Sequence, residues 1–258
     1  MSAPRGEERL IVALDVPAQD DALRLVEDLD GVVSFFKVGL ELFMGGAMWD
    51  LVERLARERR VFVDLKIPDD IGETIRRAVA LPAGLGVRFL TFSAHLPATI
   101  AAAVAARAGR EHPKLLGVPL LSSLDGADLR GIFGEGAPDV DAYVERRART
   151  MVGAGCDGLI ASGGSIGKLR SLFPRDVILV SPGIRPGGSA ADDHKRLATP
   201  SEAVAMGADY LVVGRPIRNA PDRAARRRVA SGIIEEMDAA FERRSAAPGA
   251  GGGAKHAP

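Results

Sequence analysis

Eight short apolar runs, separated by segments of helical character, recur from one end of this 258-residue chain to the other, and no other feature limits its fold so narrowly. They lie at 10–14, 35–38, 61–65, 89–92, 115–121, 158–161, 177–180 and 210–213. The helix-like segments are 19–29, 40–59, 71–81, 97–110, 140–153, 165–172, 201–206 and 223–243, with Pro82, Gly155 and Gly207 supplying stops near the ends of three. Such alternation implies successive βα units around a parallel sheet. Eight units are what a closed barrel needs, so the expected fold is α/β, a single (β/α)8 TIM barrel. At this length two small domains are the alternative, and the pattern requires no second one. We expect an N-terminal extension over 1–9, the barrel over 10–244, and an Ala/Gly-rich tail over 245–258 with nothing to bury and no fixed structure.

Nearly every strand candidate ends in a group able to do chemistry or to bind an anion. Strand one ends in Asp15, two in Lys37, three in Asp64 and Lys66, five in Ser122-Ser123, seven in Ser181-Pro182-Gly183-Ile184-Arg185 and eight in Gly214-Arg215. In a parallel barrel those ends open on one face, where barrel enzymes keep their active sites. The densest stretch is Val61-Phe62-Val63-Asp64-Leu65-Lys66-Ile67-Pro68-Asp69-Asp70-Ile71-Gly72-Glu73-Thr74. Its apolar run closes on a carboxylate and an ammonium two residues apart, which on a strand point to the same side. A buried lone ion is costly, so the pair needs partners. Lys37, with one of Asp69 and Asp70, completes an alternating array of zero net charge. The bland alternative is a surface ion-pair cluster.

Composition narrows the class. Lys+Arg and Asp+Glu both number 34, so no overall basic field draws in nucleic acid or anionic lipid, and 47% hydrophobic residues is ample for a core. The single Cys156 can form no internal disulfide, and no Cys/His spacing suggests a metal site, which points to a reducing compartment. The polar amino terminus lacks an apolar signal core, and no run approaches the ~20 residues that span a bilayer. The expectation is a soluble, cytoplasmic protein with neither nucleic-acid nor membrane partners and no metal.

The ending Ala13-Leu14-Asp15, then Lys37-Val38-Gly39, Asp64-Leu65-Lys66 followed by Asp-Ile-x-x-Thr, Pro182-Gly183-Ile184-Arg185-Pro186 and Val213-Gly214-Arg215-Pro216-Ile217 together resemble the orotidine 5′-phosphate decarboxylase family. The matches keep their order from Leu10 to Asp222. The resemblance implies cofactor-free loss of CO2 from orotidine 5′-monophosphate to give UMP, the last step of pyrimidine synthesis de novo, in a homodimer of barrels whose active sites lie at the subunit interface. Carried over, Asp15 holds the ribose and Lys37 bonds ribose and the first carboxylate. Asp64 lies beside the substrate carboxylate, and Lys66 delivers the proton to carbon six. The aspartate before Ile71, taken as Asp70, reaches with Thr74 into the other subunit's site. Ser123 contacts the pyrimidine, the segment after Pro182 closes as a lid, and Arg215 grips the phosphate. Barrels often bind phosphate after strands seven and eight, where Arg185, Gly187, Gly188, Gly214 and Arg215 fall. The chemistry wants these residue types in any case: CO2 departs leaving electron density on a carbon with no attached sink, and a fixed ammonium stabilises and then protonates it.

The chain departs from the family pattern in three places. The family has two residues between the active-site lysine and the crossing aspartate. That spacing favours Asp69, whereas the Asp-Ile-x-x-Thr register favours Asp70. Gly187 stands where the lid commonly carries glutamine, and Phe92-Ser93-Ala94 replaces the usual Val-His-Ala, with His95 displaced by one and given no catalytic role. Sugar-phosphate barrels such as hexulose-phosphate synthases share the Asp-x-Lys core but use magnesium and carry an acid where Lys37 sits. A nucleotide sensor without catalysis is a third class, against which the complete charged array argues. Gly163-Gly164-Ser165-Ile166-Gly167 matches a hydrolase nucleophile pattern, with His194 its one candidate partner before the tail. His112, His194 and His256 read as solvated, Cys156 as packed, and the arginines of 223–228 as a solvated helix face.

Overall fold

Runs rich in Val, Ile, Leu and Phe become strands here because helices cover one side of each and its own barrel interior covers the other. In the computed structural model, which describes residues 5–46, 48–186 and 198–246, eight parallel strands close on themselves. They are β1 (Leu10–Ala13), β2 (Phe35–Gly39), β3 (Arg60–Ile67), β4 (Phe89–Phe92), β5 (Lys114–Gly117), β6 (Gly158–Ile160), β7 (Ile178–Ser181) and β8 (Tyr210–Val213). Each pairs with its neighbours in sequence, and β8 closes on β1 with Leu211 opposite Leu10. The expected barrel is therefore the observed one.

Successive strand residues divide between two cores. Val12, Phe36, Val63, Leu90 and Leu211 pack outward under the helices, whereas Ile11, Phe35, Phe62, Phe89, Leu116, Val180, Tyr210 and Val212 form a second cluster. Phe89 on β4 meets Tyr210 on β8, from the opposite wall, with ring centroids 5.0 Å apart, so this second cluster lies on the barrel axis. Phe35 and Phe62 complete the stack, 5.2 and 5.8 Å from Phe89. Two guanidiniums cap it from the strand-start side, Arg9 lying 4.5 Å from the Tyr210 ring and Arg60 5.2 Å from that of Phe35. The aromatic plug thus fills the N-terminal half of the barrel and leaves the C-terminal mouth open.

Several boundaries differ from the sequence expectation, each for a local reason. The segment read as one helix over 40–59 is two, Leu40–Met44 and Met48–Ala56, parted at Gly45-Gly46, where Gly46 takes φ +80°. β5 stops at Gly117 rather than 121, because Pro119 has no N–H to continue the ladder. The helix Gly72–Gly84 runs past Pro82, which forgoes one backbone hydrogen bond without ending it. Gly207, at φ +115°, does terminate Pro200–Met206, whose start is fixed by a Thr199/Glu202 capping box. A helix at Gly126–Phe133, capped by Asp125, and a short one at Arg215–Arg218 were not anticipated. Gly6–Arg9, within the expected extension, is one helical turn.

The last helix, Arg223–Ala246, carries through Ser245 and Ala246, two residues expected in the tail; the rest of that tail lies outside the described residues. Its arginines are not all in solvent: Arg226 pairs with Asp28, and Arg227 donates to the carbonyls of Asp28 and Asp30. These contacts pin the closing helix to the end of Gln19–Asp28. His112 is likewise half-buried rather than solvated; burial, then the neighbouring Arg88 charge, lowers its pKa. Cys156 is packed as expected, its thiol pushed up to about 12 by burial. Among the described residues no helix is long and apolar enough to cross a membrane.

Candidate active site

Because all eight strands run the same way, their polar ends converge around a cavity of about 460 Å3 at the C-terminal mouth. Asp15, Lys37, Asp64, Lys66, Ser123, Pro182, Arg185, Gly214 and Arg215, picked out from sequence, all line it. Asp69, Asp70 and Thr74 do not line this chain's own cavity, and Gly187, Gly188 and His194 lie outside the described residues.

Four charges form a line. Lys37 Nζ lies 2.8 Å from Asp15 Oδ1 and 3.4 Å from Asp64 Oδ2, and the same Asp64 oxygen lies 2.9 Å from Lys66 Nζ. The signs alternate and sum to zero, as expected, but the fourth member is Asp15 and not Asp69 or Asp70. Those two are engaged elsewhere. Asp69 accepts from the Ile71 N–H at 2.6 Å. Asp70 accepts from the N–H groups of His95 and Leu96 at 2.7 and 3.0 Å, and its second oxygen lies 3.0 Å from His95 Nδ1. Asp70 therefore staples the β3 loop to the start of the helix Pro97–Ala106 within its own subunit.

Burial and charge oppose each other along this line. For Asp64, burial works to raise the pKa, but Lys37 and Lys66, with hydrogen bonds from Lys66 and Thr91, overcome it and hold the carboxyl below its ordinary value. For Lys37, burial works to lower the pKa, and the pull of Asp64 and Asp15 reverses it to a net rise. Both side chains are only 10% exposed, whereas Lys66, at 39%, is the cation that reaches the cavity most openly. Space for the line comes from Gly39, where any Cβ would lie 3.1 Å from Lys37 Nζ and 3.2 Å from Asp15 Oδ1.

Asp64 and Lys66 do meet, though not by simple strand alternation. Between the pairs Val63↔Leu90 and Ile67↔Phe92, β3 spends residues 64–66 where β4 spends only Thr91. Within this bulge Lys66 takes φ +47°, a left-handed conformation that costs an L-residue about 1–2 kcal/mol. Thr91 Oγ1 accepts the Lys66 N–H at 3.0 Å and donates to Asp64 Oδ1 at 2.8 Å; Ser93 Oγ donates to the Lys66 carbonyl at 3.1 Å. Thr91 and Ser93 were missed, although polar residues two apart closing an apolar run are the same signal that marked Asp64 and Lys66.

A second cationic part of the lining follows β7 and β8. Arg185, Arg215 and Arg218 all face the cavity there. Arg218, also unanticipated, lies one turn beyond Arg215 and so shares its helix face; it donates to the Asp15 carbonyl. Ser165, the hydrolase-like serine, is buried at the start of the helix Ser165–Leu172 and does not line the cavity. Among the described residues no three His, Cys, Asp or Glu side chains gather as a metal site. The arrangement supplies an ammonium next to a buried carboxylate on one side of a cavity and guanidiniums on another, which suits an anionic substrate carrying a phosphate and a reacting centre that becomes negative.

The family model described as "Orotidine 5'-phosphate decarboxylase / HUMPS family" matches residues 8–229. A protein of Rhodopseudomonas palustris named orotidine 5′-phosphate decarboxylase is 45% identical over 91% of this chain and 96% of its own length. One of the same name from Afipia carboxidovorans is 44% identical over 89% of this chain and 94% of its own. The crystal structure of orotidine 5′-phosphate decarboxylase from Lactobacillus acidophilus superposes with a TM-score of 0.76 at 31% identity, covering 91% of this chain and 100% of that one.

Proposed function

This chain belongs to the orotidine 5′-phosphate decarboxylase / HUMPS family, and on that premise we propose that it is a carboxy-lyase of pyrimidine biosynthesis, converting orotidine 5′-monophosphate to UMP and CO2 without a cofactor. The observation that carries the reading is the line Asp15–Lys37–Asp64–Lys66 on the wall of a cavity that also presents Arg185 and Arg215. The phosphate is held by Arg215 with Arg185, Gly214 and the glycines that follow Pro186. Asp15 and Lys37 hold the ribose, and Ser123 the pyrimidine. The bond between carbon six and the carboxylate breaks, its electron pair stays on the ring carbon, and neutral CO2 leaves. Lys66 stabilises that pair with its charge and then transfers a proton from Nζ to carbon six, forming the new C–H bond. Asp64, 2.9 Å from Nζ, keeps the ammonium oriented. Phosphate binding, remote from the reacting carbon, supplies energy for closure after Pro182.

The same reading includes a cytoplasmic homodimer with shared sites. It is supported by exposed apolar side chains from segments that follow β2 to β5, among them Leu40 at 59%, Met44 at 74%, Ile71 at 65% and Ile132 at 61% exposure. Both aspartates are bonded within their own subunit, Asp69 by one N–H and Asp70 by two N–H groups and the His95 ring, so Asp69 has fewer bonds to give up in reaching across, with Thr74 on the exposed side of the following helix. Incubating the purified protein with orotidine 5′-monophosphate and following its absorbance tests the activity. Turnover that persists in excess EDTA is expected; absence of turnover would refute the reading, and loss on chelation would redirect it to metal-dependent relatives.

A further inference from the structure

We propose that Thr91 is a positioning residue for the proton-donating lysine, and that its hydroxyl, aided by Ser93, holds the bulged Lys66 peptide and the Asp64 carboxylate in one fixed relation. The inference rests on the decarboxylase reading and adds to it one residue on β4 and one just past its end that touch neither ribose nor phosphate in that scheme.

Three observations converge. Thr91 is the lone β4 residue opposite 64–66, and it is wholly buried. A threonine hydroxyl has one proton to give and lone pairs to accept with. Here it gives the proton to Asp64 Oδ1 at 2.8 Å and accepts the Lys66 N–H at 3.0 Å, so one oxygen ties the backbone of the ammonium-bearing residue to its carboxylate neighbour. The Lys66 carbonyl is bonded in turn by Ser93 Oγ at 3.1 Å, and the Ser93 N–H bonds the Ile67 carbonyl at 2.9 Å. The N–H and the carbonyl of Lys66 are thus held from β4 and the residue just past it, at a residue whose φ of +47° the backbone would otherwise abandon.

Release of that grip lets Lys66 relax toward ordinary strand geometry. Its side chain would then swing away from Asp64 Oδ2, now 2.9 Å distant, and from the reacting carbon. Ribose and phosphate contacts, made from β1, β2, β7 and β8, are untouched. The signature is therefore a fall in kcat at nearly constant KM, which a general loss of structure does not produce.

The test compares Thr91→Val, which keeps shape and removes the hydroxyl, with Thr91→Ser, which keeps the hydroxyl. Thr91→Val is expected to lower kcat about 10- to 100-fold, with KM and the Kd for UMP within about threefold of wild type; Thr91→Ser restores kcat to within about threefold. The acid limb of the kcat profile should move to higher pH in the Val variant, since Asp64 loses a hydrogen bond to its charged form, and should stay put in the Ser variant. If Thr91→Val does not fold, Ser93→Ala takes its place, with an expected fall of about three- to tenfold in kcat alone. Wild-type kcat in the hydroxyl-free variant that folds, or equal losses in the Val and Ser variants, overturns the proposal. An inactive wild-type protein would instead overturn the decarboxylase reading.

Discussion

Gly39 ends β2, and its missing side chain is what lets the line of charges close. Its φ is −122°, so alanine there meets no backbone objection and the cost is steric alone. A Cβ would stand 3.1 Å from Lys37 Nζ and 3.2 Å from Asp15 Oδ1, inside the 3.4–4 Å of ordinary contact, so both groups must give by a few tenths of an ångström. Lys37 has little freedom to do so, being 10% exposed and held 2.8 Å from Asp15 and 3.4 Å from Asp64. Overpacking of this kind costs about 1–3 kcal/mol. Alanine recovers about 0.4–1 kcal/mol by restricting the unfolded chain, leaving a net loss centred on about 1.3 kcal/mol within bounds of about 0–2.6 kcal/mol. In a chain of this size the central figure lowers Tm by about 3–5 °C. Activity should suffer more than stability: a displacement of about 1 Å can cost about 100-fold, so a few tenths should take about tenfold from kcat/KM. Thermal unfolding and initial rates with orotidine 5′-monophosphate measure both, with Gly84→Ala, where nothing lies within 4 Å of the added carbon, as the neutral control. A Gly39→Ala protein equal to wild type in both measures would show that the line has slack, and the claim that it is closely set would fail.

Other outcomes follow from the same geometry. Lys66→Ala should reduce turnover by at least about 100-fold while UMP still binds; near-normal turnover would remove Lys66 as the proton donor. Arg215→Ala should weaken nucleotide binding, and much less so for a substrate lacking phosphate; equal losses with both would place the guanidinium elsewhere in the mechanism. In mixtures of Lys66→Ala with Asp69→Ala, random subunit exchange should restore about a quarter of wild-type activity through one intact site per hybrid dimer. The same recovery with Asp70→Ala and none with Asp69→Ala would assign the crossing role to Asp70. Because the net effect of Asp64 and Asp15 raises the Lys37 pKa above 10.5 in the folded chain, its stabilisation is fully present below 10.5 and lost as pH rises through the raised value. The unfolding free energy difference between wild type and Lys37→Met, from urea titrations, should therefore be flat from about pH 7 to 10; a decline within that window would contradict the sign.

The barrel was legible because each strand is a contiguous apolar run and the closing order is the sequence order. What stayed hidden depends on contacts between units. That Lys66 is left-handed cannot be read from β3 alone, since the groups holding it come from Thr91 on β4 and from Ser93 just beyond it. Asp15 was recognised as a ligand but not as the neutraliser of Lys37, a pairing set by the β1–β2 register rather than by any spacing in the chain. The bonds of Asp70 to the backbone N–H groups of His95 and Leu96 were equally hidden, since those groups lie a whole βα unit away in the chain. Gly45-Gly46, by contrast, was a local signal that periodicity overrode.

The four stacked rings beneath the cavity make the site a cul-de-sac. Phe62 belongs both to that stopper and to the cavity lining, so the reacting chamber shares a wall with the seal. Among the described residues these rings close the barrel below the cavity, so in the proposed reaction the smaller product and the larger one both leave by the open mouth. Traffic control at the open rim therefore governs the departure of both.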